Sequence, residues 1–250
     1  MNTKLCWTST CLHGDSLGWM RQQIVPFADL IIADPPFNIG WKYDAYQDKR
    51  ASGDYLGWTT EWITEAKRLL KPTGNLLLCM GDEYVSDIDV ICRHTLKLSR
   101  QNWIVWHYSF GQSGTLESRT GFTRSKTHVL RYSLGKPYFN AAAVAEPSDR
   151  QLKYHDKRAD PRGKCPNDVF IFKRVCGTHV ERVRGVSTQM PVALLEKWVK
   201  AMCPEDGFVF DPFPGSGASL IAAKRLNRQY VGVELSETYH RLILARLAKA

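Results

Sequence analysis

The chain has no apolar run approaching the ~18–20 residues that a membrane span requires. Its start, MNTKLCWTSTCLHGD, lacks the apolar centre of a secretory signal. No CxxC pair occurs among its seven cysteines, an odd number, which argues against the disulfide framework of a secreted domain. Internal repeats and low-complexity tracts are missing too. Negative charge is in deficit: 25 Asp and Glu stand against 34 Lys and Arg, a net charge of +9. These absences lead us to expect a soluble, cytoplasmic protein. With 250 residues, 44% of them apolar and 24% charged, a single domain over 1–250 with a full-sized core is expected.

The positive excess is not spread evenly. Between Arg119 and Arg184 there are 15 basic and 6 acidic residues, and the remainder of the chain is balanced. A segment facing a polyanion explains this better than a uniformly solvated surface, and a basic loop without a partner is the plainer alternative. The same stretch is rich in Gly, Pro and Ser and poor in periodicity, so residues 136–186 read as a small basic insertion made of loops. Tyr132, Tyr138, Phe139 and Tyr154 interleave with its cations, a pattern that suits stacking on bases as well as ordinary core packing. Ser113 to Lys126 reads as a polar loop. Cys165, Cys176 and His179 lack the fourth partner of a zinc site, so no metal is expected. His107 and His128 read as hydrogen-bonded structural residues.

The flanks alternate strand and helix. Ala28 to Ala33 is a short, mainly apolar run that ends at Asp34, as expected of a buried parallel strand. Thr59 to Leu70 places Trp62, Ile63, Ala66 and Leu69 on one helical face, and Lys71-Pro72-Thr73-Gly74 stops it. Strands follow at 76–80, 103–108 and 128–132, with a helix at 83–96 between the first two. After Pro191 come a helix, a strand at 208–210, a helix at 218–226, a strand at 230–233 and a closing helix at 237–248. This alternation predicts an α/β protein with a mostly parallel, doubly wound sheet. Such sheets bind ligands beyond the carboxyl ends of their strands.

Two strand ends carry chemistry. In FVFD-PFPGSG-ASLIAAKRLNRQ-YVGVEL, Asp211 ends one strand, Gly215 and Gly217 open a turn, and Glu234 ends the next strand. The third glycine of GxGxxG is missing and no GK[ST] follows, so a phosphate cradle is not expected. Asp211 would repel a pyrophosphate. A ligand with a nucleoside at one end and a cation at the other suits the acids better, and S-adenosylmethionine is one. At the other strand end, Asp34-Pro35-Pro36-Phe37 is a rigid segment without backbone donors at its prolines. It leaves the Asp34 carboxylate and the proline carbonyls as acceptors for an NH2 group, with Phe37 as an aromatic face for a planar base. Alone, this tetrapeptide is also a common loop sequence.

Together, DPPF upstream and DPFPGSG downstream resemble the amino DNA methyltransferases, which methylate exocyclic nitrogens of adenine or cytosine. The order, with the catalytic tetrapeptide first, is similar to the beta class, a circular permutation of the usual arrangement. Gly14-Asp15, Arg68 to Gly74, Gln189-Met190-Pro191 and Gly215-Ser216-Gly217-Ala218 stand where that family has its further motifs, with Met190 and Ala218 departing from the usual Lys and Thr. The resemblance implies a Rossmann-like methyltransferase fold with S-adenosylmethionine as cofactor. It implies catalysis by Asp34, Pro35, Pro36 and Phe37. Cofactor contacts are implied for Asp15, Asp34, Gln189, Asp211, Phe213, Gly215, Ser216, Gly217, Glu234 and Leu235, with Asp15 at the adenine, Glu234 at the ribose and Asp211 at the methionine part. The target base is expected to leave the helix. Double-stranded DNA is the expected substrate, held by Arg119, Arg124, Lys126, Lys153, Lys157, Arg158, Arg162 and Lys164 on a target-recognition insertion at 136–186 and the loop before it. Asp34, rather than Ser, points to adenine N6, with cytosine N4 as the alternative. A homodimer and a cognate restriction endonuclease are partners that the resemblance allows. A methyltransferase-like DNA-binding subunit without catalysis is the remaining rival, and both motifs are intact.

Overall fold

The computed structural model describes residues 9–108, 120–186 and 188–250. Eight strands form one sheet in the order β1-β8-β7-β2-β3-β5-β4-β6. They are β1 (Thr10–His13), β2 (Ala28–Ala33), β3 (Leu70–Met80), β4 (Ser99–His107), β5 (Lys126–Ser133), β6 (Val169–Ile171), β7 (Phe208–Asp211) and β8 (Gln229–Glu234). Every neighbouring pair is parallel except the two made by β5. The expected mostly parallel, doubly wound sheet is therefore present.

Alternation along β2 explains the two layers. Leu30 and Ile32 point into a core shared with α5 (Val192–Met202), α6 (Ala218–Arg225) and α7 (Glu237–Leu247). Ile31 and Ala33 point into the opposite core, built with α1 (Ser16–Gln22), α2 (Ser52–Leu69) and α3 (Val85–Val90). All six residues of β2 are buried, which is why the strand shows no polar alternation. No helix among the described residues is long and apolar enough to cross a membrane.

Several elements differ from expectation. Helix α2 starts at Ser52 rather than Thr59, because buried Tyr55 anchors two extra turns despite the low helix propensity of Gly53 and Gly57. Lys71–Gly74 ends that helix as expected but lies within β3, as an irregularity where the pairing steps from Ala28–Leu70 to Leu30–Asn75. Strand β1 and helix α1 had no periodic signal, since β1 is a four-residue edge strand with one buried residue. Residues 136–186, expected as an insertion, contain a short helix, α4 (Asp149–Leu152), and β6, which adds a parallel edge strand to β4. Tyr132 does not serve as a stacking surface: it is fully buried, and its hydroxyl donates to Asp89 at 2.8 Å.

Candidate active site

Four adjacent parallel strands, β1, β8, β7 and β2, bring their carboxyl ends to one edge of the sheet. Each is followed or closed by an acid. His13 pairs with Glu234, and Asp15 lies two residues on; Asp211 pairs with Gly232; Ile31 pairs with Phe210, placing Asp34 just beyond Asp211. Residues far apart in the chain thus become a row of carboxylates. A cavity of about 220 Å³ opens there, lined by all four acids. One water needs roughly 10–15 Å³ by the same measure, so the space suits a ligand rather than a few solvent molecules.

The turn between β7 and α6 is held tightly. Gly215 and Gly217 take φ of 48° and 75°, in the left-handed region. A Cβ on Gly217 would meet Ile243 Cγ2 at 2.9 Å. Glu234 reads this turn directly: its Oε2 accepts from Gly215 N at 2.9 Å and its Oε1 from Ser236 N at 2.9 Å. Asp211 Oδ1 accepts from Phe213 N at 2.8 Å, and its Oδ2 from the Ser219 hydroxyl. The Phe213 ring packs edge-on against Trp58 and Trp62.

The tetrapeptide is arranged differently. Tyr55 donates its hydroxyl proton to the Pro36 carbonyl at 2.9 Å, which fixes the segment from below. Among the described residues, no donor reaches the Asp34 carboxylate or the Pro35 carbonyl. Two acceptors are therefore left for a ligand, and Asp34 lines the cavity. The Phe37 ring lies against Gly81, where a Cβ would stand 3.1 Å from it.

Burial dominates the electrostatics. It pushes the Asp34 carboxyl up to about 7, and that of Asp211 also to about 7. For Asp211 the charges of Asp34 and Glu234 add to the rise, while Ser219 and the Phe213 amide oppose it. Glu234 is raised by burial, with Asp44 contributing. Carboxylates crowded in this way favour a cationic guest over an anionic one.

Of the expected cofactor residues, Asp15, Asp34, Asp211, Phe213, Gly215, Ser216, Glu234 and Leu235 line this cavity. Asp15 also caps α1, accepting from Gly18 N at 2.7 Å. Gln189 is turned away: its amide donates to the Glu181 carbonyl at 2.7 Å and accepts from Val183 N at 3.1 Å, so it braces that segment. Gly217 shapes the turn behind the wall. Pro35 and Phe37 flank the cavity in sequence without lining it.

Sequence reasoning missed Tyr43, Asp44 and Thr188, which also line the cavity. Asp44 accepts from the Ser236 hydroxyl at 2.5 Å, and Tyr43 bonds Thr188. Tyr43 and Asp44 come from the loop 38–50, knotted by buried Asp48, whose carboxylate accepts from the amides of Asn38, Ile39 and Trp41 at 2.7, 3.2 and 2.9 Å. The length of this strand-to-helix connection was the available signal, since such connections are usually a few residues long.

The cations expected to meet DNA are mostly paired with acids. Arg124 contacts Glu83 and Asp82, and Lys126 contacts Asp82; these two acids directly follow Gly81, against which the Phe37 ring lies. Within the insertion, Lys153 pairs with Asp149, Arg158 with Asp156, Arg162 with Asp160 and Lys164 with Glu146. Lys157 makes no ion pair among the described residues. Exposed pairs of this kind are weak enough for phosphates to displace the acids. Arg119 lies outside the described residues, as does Ser113 in the polar loop. His107 and His128 are both hydrogen-bonded, the latter accepting from Trp103 Nε1 at 2.9 Å and facing Asp82 at 2.8 Å.

A family model described as DNA methylase matches residues 28–245. The Type II methyltransferase M.HpaI of Haemophilus parainfluenzae is 33% identical over 221 residues, covering 88% of this chain and 68% of that protein. The DNA adenine methyltransferase YhdJ of Escherichia coli K12 is 29% identical, covering 95% and 82%. Among solved structures, the cytosine-N4-specific PvuII DNA methyltransferase has a TM-score of 0.76 at 16% identity, covering 96% of this chain and 86% of that one. At that identity the likeness is one of fold.

Proposed function

Because the chain belongs to the N6/N4 DNA methylase family, we propose that it transfers a methyl group to the N6 amino nitrogen of adenine in double-stranded DNA. The observation that carries this reading is the unpartnered Asp34 carboxylate in an acid-lined cavity, with the unpartnered Pro35 carbonyl next to it in the chain.

S-adenosylmethionine, the cofactor of this family, supplies an electrophilic methyl on a sulfonium when bound. The residues present suit it. Asp211 and Glu234, crowded and raised by burial, offer the negative surroundings that a cation needs, and Asp15, Phe213, Gly215, Ser216 and Leu235 complete the wall.

The amino nitrogen of adenine is a poor nucleophile because its lone pair is delocalised into the ring. Asp34 and the Pro35 carbonyl, accepting its two hydrogens, favour a pyramidal nitrogen with the lone pair directed into the cavity. Their contribution is positioning and fixed negative charge. Phe37 offers its ring to the extruded base, and Tyr55 keeps the proline carbonyl chain in place. Arg124, Lys126 and the insertion at 136–186 hold phosphates. No covalent intermediate is needed, in keeping with the buried Cys11, Cys79, Cys92 and Cys203.

Asp34 and the likeness to an adenine methyltransferase support adenine. Cytosine N4 is the second reading, favoured by the fold likeness to the PvuII enzyme. A homodimer, a cognate restriction endonuclease and a cytoplasmic location belong to the same proposal. The test is labelled-methyl transfer to genomic DNA followed by nucleoside analysis. N6-methyladenine supports the main reading and N4-methylcytosine the second. Asp34→Ala is expected to retain cofactor binding while its methyl transfer drops by roughly 10²–10³ or more. Full turnover in that variant contradicts the amino-group grip.

A further inference from the structure

A second cavity, of about 340 Å³, lies between α5 and the corner where β4, β5 and β6 meet, and it shares no lining residue with the first. Its depth holds an unusual cation. Arg131 is only 6% exposed, yet its partners are all neutral: Nε donates to Asn75 Oδ1 at 2.9 Å, an NH1 donates to Asn102 Oδ1 at 3.0 Å, and the Phe139 ring stacks at 4.7 Å. Among the described residues no carboxylate forms an ion pair with it. Buried guanidinium groups ordinarily have an anionic partner, because an uncompensated charge in the interior is costly. Burial accordingly lowers the pKa of Arg131 to about 10.

Trp198, 1% exposed, also lines the cavity. Ile104, Val144, Phe170 and Met202 make the surrounding walls apolar. At the mouth, Lys197 is already engaged with Glu146 at 3.4 Å, and exposed Asp168 disfavours a second negative charge on a guest.

We propose that this cavity binds a small organic monocarboxylate with an apolar body, its carboxylate taken by the Arg131 guanidinium. A planar carboxylate matches the guanidinium fork, and the apolar walls take the rest of the molecule. Inorganic phosphate fits less well, because it is more highly charged beside Asp168 and leaves the apolar walls unfilled.

The test uses the full chain with 4-fluorophenylacetate as probe, observed by fluorine NMR. Binding with a Kd at or below about 1 mM is expected, with 4-fluorophenylacetamide at least about 10-fold weaker. Ala201→Phe fills the cavity and should abolish binding. Arg131→Gln removes the guanidinium and should weaken binding by at least about 10-fold. S-adenosylmethionine binding, measured in each variant, reports that the fold persists and that the first cavity is independent. Four results overturn the assignment: no binding at 10-fold higher probe, equal affinity for the amide, retained binding in folded Ala201→Phe, or displacement of the probe by inorganic phosphate at equal concentration.

Discussion

Asp34 and Asp211 stand close to neutrality in the cleft for which we propose a cationic cofactor. Both carboxyls are held at about 7, above the ordinary 3.8 of aspartate, chiefly by burial. A raised acid binds its proton more tightly in the folded state than in the unfolded one. The stability that goes with the neutral form is present in full below about pH 4 and is lost as pH rises to about 7 and beyond. The Tm of the ligand-free protein is therefore expected to fall between about pH 5 and about pH 8, and Asp211→Asn to flatten that fall. A cationic ligand acts in the opposite sense, because it favours the ionised carboxylates. Calorimetry should show S-adenosylmethionine binding tightening over the same interval. A Tm that rises with pH in the ligand-free protein, or a cofactor affinity that falls, contradicts this account. The acids themselves were visible in the sequence because each ends a strand. Gln189 was misplaced: its position suggested the cofactor wall, but an amide that both donates and accepts is equally suited to bracing a loop, and it does so at residues 181–183.

At the scale of the element, the loop 38–50 decides how much wall the cleft has. Asp48 gathers three backbone amides, and Asn38, at φ 60°, exchanges hydrogen bonds with the Arg50 backbone. Tyr43 and Asp44 reach the cavity because of this knot. Asp48→Ala leaves three amides without their acceptor, and a loss of about 1–3 kcal/mol in unfolding free energy is expected from denaturant titration. The same variant should raise the cofactor Kd by about 10-fold while a Trp41→Ala control at the exposed tip leaves it unchanged. This loop shows where sequence reading stops. A buried strand such as Ala28–Ala33 declares itself by apolar composition, and α5 by its apolar face. A loop whose order depends on one carboxylate has no periodicity to read. Strand β6 was hidden for a related reason: three half-exposed residues acquire strand character only from the edge of β4 beside them.

For the whole molecule, the net charge of +9 is concentrated in one part of the chain, but the structure distributes it among local ion pairs. DNA phosphates would compete with Asp149, Asp156 and Asp160 for these cations, so each contact releases an acid as well as counterions. Replacing Lys153, Lys157, Arg158, Arg162 and Lys164 by Gln should weaken DNA binding and make its log–log salt dependence shallower, by less than the ~0.9 per phosphate contact of an unpaired cation. An unchanged slope would place the DNA contacts elsewhere. The spatial order of the sheet also sets a sequence of events in the growth of the polypeptide. Strand β1 can dock only after β8 exists, and the cavity draws on residues from Asp15 to Tyr239. An emerging chain can assemble β2, β3, β4 and β5 early, but it has no complete chamber until nearly all of this sequence has left the ribosome. Unfinished copies therefore neither sequester the methyl donor nor mark the genome.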